Sequence, residues 1–213
     1  MKTIAKHLIG AALVLSLLGI VTESEANLVK VDLTTPGDKQ LTYDTSTGLS
    51  WLNVSNTTLH SYNEIISGFG GYITSDGFRY ATSDEVGILL ADYEVPQVPV
   101  GSYPTGGSGY YNITSLMWDY LGVTWANYNS RAIVGITAGA HYAYLYSNDY
   151  GQWTANQDWG TVDGNYAGYP STGYEISSFL VKEPTAVPIP ATIWLFGSAL
   201  AGLSVFRRPK KSA

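Results

Sequence analysis

Five side chains between positions 153 and 163, Trp153, Asn156, Asp158, Trp159 and Asp163, are of the types that hold a carbohydrate. An indole face covers the apolar C–H face of a sugar ring, while amides and carboxylates take up its hydroxyl groups. Gln157 belongs to the same mixture, and Asp149, Tyr150, Asn165, Tyr166 and Tyr169 extend it on either side. The carboxylates and carbonyls of the stretch also suit Ca²⁺, although Asp158–Asn165 does not follow the EF-hand ligand spacing. No cofactor is expected beyond that one ion. Two readings stand for the stretch: a glycan-binding surface, or a set of aromatics that fastens a long loop to the core.

Other chemistries lack their parts. The chain has no cysteine, which excludes a disulfide framework, a thiolate nucleophile and a Cys-ligated metal. His60 and His141 have no second His or carboxylate at metal-ligand spacing in the sequence, and no G-x-S-x-G elbow is present. Gly106–Gly109 lacks the Lys-Ser/Thr of a phosphate loop. The neighbouring carboxylates Asp84 and Glu85, and Asp92 and Glu94, are accounted for by helix N-terminal charge and by solvation. No catalytic residue and no metal ligand is assigned, and the chain reads as a non-enzyme; a glycoside hydrolase, which needs two paired carboxylates, is the less favoured alternative.

The chain has 17 acidic and 11 basic residues. Setting aside Glu23, Glu25, Lys2, Lys6, Arg207, Arg208, Lys210 and Lys211 at the ends leaves a body near −10. Such a surface repels phosphate backbones and argues against nucleic acid as a partner.

Both ends are basic and apolar. Lys2 and Lys6 precede the apolar run Leu8–Val21, and Ser24-Glu25-Ala26 offers the small residues that a signal peptidase reads. Residues 1–26 therefore read as a signal peptide cut after Ala26. At the other end, Glu183–Ala186 is a polar break, and Val187-Pro188-Ile189-Pro190 forbids regular structure because proline removes donors and holds its predecessor extended. The apolar segment 191–206 would make a helix of roughly 24 Å. That is just short of a hydrocarbon core of about 30 Å, so it spans with some thinning of the bilayer. Arg207, Arg208, Lys210 and Lys211 keep their end cytoplasmic and the body outside.

The proline motif, the Trp-Leu-Phe-Gly-Ser span (Trp194–Ser198) and the basic tip, in that order, resemble the PEP-CTERM sorting tail of Gram-negative bacteria, in its VPxP (VPLPA-like) variant. The first motif residue here is Val187 and the third is Ile189. The resemblance implies an exosortase-type membrane protease that processes the chain near the motif, in a host that makes extracellular polysaccharide and biofilm. It further implies transient inner-membrane anchoring before transfer to the cell surface or the exterior.

The elements between the ends must position the aromatic stretch. Leu28–Leu33, Gln40–Tyr43, Gly48–Val54 and Phe78–Ala81 pattern as strands, the second and third joined by an Asp44–Gly48 hairpin loop. Ser61 starts a short helix that ends at Gly68. Thr82-Ser83-Asp84-Glu85 is a capping box opening a helix that ends near Ala91. Val95–Gly109 reads as loop, residues 114–121 as a third helix, and Ala132–Thr137 and His141–Tyr146 as strands. Asp149–Gly173 shows weak periodicity, and Glu175–Lys182 reads as one last strand with Ile176, Phe179 and Val181 inward. Trp51, Trp118 and Trp125 read as core.

Tyr43–Leu52, Ser61–Glu64 and Gly77–Val86 are similar to the N-terminal half of Lcl/DUF1566-like, distantly C-type-lectin-like, modules, with Phe78 in place of the usual Trp and Tyr80 in place of a Leu. The resemblance implies a lectin-like fold. The expectation is thus a signal peptide (1–26), one extracytoplasmic α+β domain (27–183) with mixed or antiparallel strands and two or three short helices, and a sorting tail (184–213). The motif lies at 187–190, the transmembrane segment at 191–206 and the basic tip at 207–211. Its partners would be signal peptidase, the exosortase and extracellular polysaccharide. Its role would be that of an exported surface or matrix protein, with a carbohydrate-binding module as the alternative.

Overall fold

The computed structural model of the chain describes residues 28–105, 116–150, 152–167 and 175–184. The signal segment 1–26, the motif Val187–Pro190, the apolar segment 191–206, the basic tip, Gly106–Gly109 and Tyr169 lie outside the described residues. The chain divides into two units at the Glu183–Pro184 junction, and the description concerns the first of them.

Among the described residues, two sheets and three short α-helices give the expected α+β class. In the first sheet, β1 (Leu28–Val31), β2 (Leu41–Asp44), β3 (Ser50–Leu52), β4 (Arg79–Tyr80) and β10 (Leu180–Lys182) lie in the order β1-β2-β3-β10-β4, all antiparallel. In the second, β5 (Trp125–Ala126), β6 (Ser130–Thr137), β7 (His141–Asn148) and β8 (Trp153–Thr161) form an antiparallel meander. The two-residue β9 (Ser177–Ser178) adds to β6 in parallel. The helices are α1 (Tyr62–Ile66), α2 (Ser83–Asp92) and α3 (116–121).

Capping fixes where α1 and α2 begin. Ser61 and Thr82 each accept the backbone N–H three residues on, and Glu64 and Glu85 reach back to the N-cap N–H, so both helices open with a complete capping box. Arg79 joins the second box by pairing with Glu85 at 2.6 Å and with Glu183 at 2.5 Å. These contacts hold the guanidinium well above its ordinary pKa, the Glu85 hydrogen bond being the largest cause.

The second sheet is covered on both faces. Ile133, Ala143, Leu145, Trp153 and Ala155 share one cluster with Val86, Leu89 and Leu90 of α2 and with Met117 and Leu121 of α3. Ala132, Val134, Ile136 and Tyr144, one residue out of step, belong to a second cluster with Tyr80, Ile176 and Leu180. Alternate residues of a strand face opposite sides, so double coverage makes Ala132–Thr137 buried without a break. Trp51 and Trp118 are core, as expected, while Trp125 is half-buried against the second cluster.

Two expectations change. Glu175–Lys182 is two short strands in different sheets rather than one. Phe179, between them, donates its N–H to Ile136 O at 2.8 Å and accepts from Ala81 N at 2.9 Å. Its ring stands 2.4 Å from where a Cβ on Gly135 would be, so β6 can pass it only as glycine. The second change is β8, nine residues of strand inside the stretch whose weak periodicity gave no strand. Its pairing with β7 slips between Tyr142 and Tyr144, which oppose Gly160 and Asn156. That bulge erases the period-two signal.

Candidate functional site

Two of the Tyr side chains of β7 and the second half of β8 open onto a cavity of about 540 Å³. β7 supplies Tyr142 and Tyr144, β6 supplies Val134, and β8 supplies Trp159 and Thr161. Val162, Asp163 and Tyr166 follow β8, Ile176 precedes β9, and Tyr103 closes the set. Tyr144 meets the Trp159 ring edge-on, with centroids 4.9 Å apart and planes at 74°. Tyr103 lies 6.2 Å from Trp159 at 60° and 5.9 Å from Tyr146 at 86°. Burial, and after it the neighbouring Tyr103, pushes the Tyr142 phenol up from its ordinary pKa, so it stays a hydroxyl donor at neutral pH.

The bulge in β8 is what places Trp159 here. Trp153 and Trp159 are an even number of residues apart, and strict alternation would put both on one face. Trp153 instead packs with the helices, while Trp159, inside the bulged segment between Asn156 and Gly160, lies on the opposite face beside Tyr144. Two further segments complete the wall. Residues 97–105 run along the open edge of β8: Val98 N donates to Ala155 O at 3.0 Å, Asn156 Nδ2 to Val98 O at 2.8 Å, and Trp153 N to Pro104 O at 3.2 Å. This strap covers an edge that would otherwise present free backbone groups, and it carries Tyr103 to the cavity. The loop after β8 is tied to α1, where Asn63 N donates to Gly164 O at 2.9 Å and Asn63 Nδ2 to Asn165 Oδ1 at 2.9 Å. Asp163 Oδ1 in turn accepts the Asn165 N–H at 2.8 Å.

The five residues that the sequence grouped therefore separate. Trp159 and Asp163 line the cavity. Trp153 is a correction: it is 5% exposed, packed in the helix-side core, and presents no ring face to a ligand. Asn156 lies outside the cavity lining; its amide holds the strap and its Oδ1 accepts the Asp158 N–H at 2.8 Å. Asp158 lies outside the cavity lining and pairs with His141 at 3.0 Å, a contact made by strand pairing that linear spacing does not reveal. His60 stacks on Phe69 with centroids 3.4 Å apart. Among the described residues no three His, Cys, Asp or Glu side chains group as metal ligands do.

The chain matches no protein-family model, no curated protein and no solved structure.

The cavity's own chemistry is thus what bears on function. Its rings offer apolar faces, its phenols and Thr161 offer hydroxyls, and Asp163 is the one carboxylate among the described lining residues. Those residues do not assemble the paired carboxylates of glycoside hydrolysis. Tyr103, Tyr142 and Tyr144 escaped the sequence reading, yet a signal for two of them was there: Tyr142, Tyr144 and Tyr146 recur at every second residue of a predicted strand, which puts three phenols on one face.

Proposed function

We propose that this is an exported, non-enzymatic surface or matrix protein, sorted by an exosortase-type protease, whose lectin-like body binds extracellular polysaccharide in the aromatic cavity. One observation carries the binding part: a cavity of about 540 Å³ walled by Tyr103, Tyr142, Tyr144, Trp159 and Tyr166, with Asp163 at its side. Pockets that bind small ligands are of this size and are largely aromatic, with a few polar groups that fix orientation. The α+β body and the capping-box block at Thr82 agree with a lectin-like module. The sorting part is supported by the order of proline motif, apolar segment and basic tip at 187–211.

A glycan array probed with the purified full chain tests the reading. Binding to at least one polysaccharide is expected. Trp159→Ala should weaken it at least about tenfold, or about 1.4 kcal/mol, with melting temperature little changed. The array is run with and without Ca²⁺, and binding should persist without it, since one carboxylate does not make the oxygen shell that Ca²⁺ takes. Equal binding by the variant and the parent would remove the cavity from the account.

A further inference from the structure

Resting on the carbohydrate reading above, we propose that the cavity selects sugar units bearing a protonated amine, so that its ligand is an amino-sugar polymer carrying free rather than acetylated amines. The ring geometry is the first reason. A neutral pyranose is best served by one flat platform, but here Trp159 is crossed by Tyr144 at 74° and by Tyr103 at 60°. Rings inclined to one another around a space present several negative faces to it, and that arrangement attracts an organic cation.

Charge is the second reason. Asp163 is the one carboxylate among the described lining residues, and no Lys or Arg is among them. The Lys and Arg side chains of the described body are engaged elsewhere: Lys30 with the Tyr120 carbonyl, Lys39 with Asp32, Arg79 with Glu85 and Glu183, Arg131 over Trp118, and Lys182 over Phe78. An ammonium entering the cavity therefore meets ring faces and a carboxylate with no competing positive group on the wall, in a body whose net charge is near −10. Ca²⁺ fits less well, because it demands several oxygen ligands at once. Acetylation of the amine removes the charge and so removes the basis of selection.

Isothermal titration of the purified full chain with three hexasaccharides of the same linkage, built from glucosamine, N-acetylglucosamine and glucose, tests the proposal. The buffer is mildly acidic, so that the amine carries its proton, and salt is held fixed. The amine form should bind at least about tenfold more tightly than either other sugar. Asp163→Asn should bring that ratio to within about threefold, while Glu94→Gln, which removes an equal charge from an exposed position outside this cavity, should leave it unchanged. Equal or tighter binding of the acetylated or neutral sugar, lost on Trp159→Ala, would overturn amine selection and leave polysaccharide binding standing. Failure of the amine form to bind overturns it outright. An amine preference that survives both Asp163→Asn and Trp159→Ala belongs to the acidic surface as a whole, and it too overturns the proposal.

Discussion

Trp153 and Trp159 are the same residue type on the same strand, yet one contributes to stability and the other to the cavity. Composition identifies both as large aromatic surfaces, and nothing in their flanks tells them apart. The distinction comes from the slip in pairing between β7 and β8, which is a property of two strands together. Trp153→Ala, at 5% exposure, should cost about 3–5 kcal/mol through lost contacts and an unfilled void, read as a lower urea midpoint. Trp159→Ala removes a half-buried ring at the cavity and should shift the same midpoint much less. Asp163 was legible as a candidate because a carboxylate beside aromatics is unusual on chemistry alone. Asn156 was equally visible, and its amide serves the strap, because a backbone carbonyl is as good a partner for an amide as a sugar hydroxyl is.

At the scale of elements, local chemistry was readable and long-range pairing was not. The Thr82 capping box and the Asp44–Gly48 hairpin depend on residues within five positions of each other, and both stand where the sequence puts them. The split last strand depends on partners far along the chain, in β6, β3 and β4, while β8 pairs with its immediate neighbour β7 through a slip in register that blurs its alternation. The turn between β1 and β2 is local again, and its energetics depend on pH. Asp38 accepts the N–H groups of Leu33, Thr34, Thr35 and Gln40, while Asp32 accepts those of Gly37 and Lys39. Backbone hydrogen bonds hold both carboxyls below the ordinary aspartate range, led by Thr35 for Asp38 and by Gly37 for Asp32. A folded-state pKa below the unfolded value means stability that is present above the unfolded value and lost as pH falls through the folded one. Asp38→Asn should therefore melt lower than the parent at neutral pH. The gap should close as pH drops below about 4, the unfolded aspartate value, when melting is followed by circular dichroism. A gap independent of pH would show that the amide's shape, not the lost charge, sets the difference.

For the whole molecule, the proposal of export and sorting rests on two segments outside the described residues, 1–26 and 187–211. If the proline motif is read by an exosortase-type protease, the double variant Pro188→Ala, Pro190→Ala should accumulate uncut in the inner membrane. The parent should instead appear at the surface or in the medium as a shorter chain. Fractionation with an epitope in the body and a second one after Lys211 distinguishes the two. The acidic body suits that destination, since a net charge near −10 keeps it soluble and away from phosphate-rich surfaces while drawing cationic material to it. Arg79 ties the α2 cap to Glu183, which directly follows the last described strand of the body.

Polysaccharide binding in the cavity is tested most directly by saturation-transfer NMR on the full chain with a sugar that the array identifies. Irradiating the Tyr and Trp ring resonances should pass saturation to the C–H protons of the sugar, and the transfer should vanish in Trp159→Ala. A bound sugar that receives the same saturation from parent and variant alike would contradict the account.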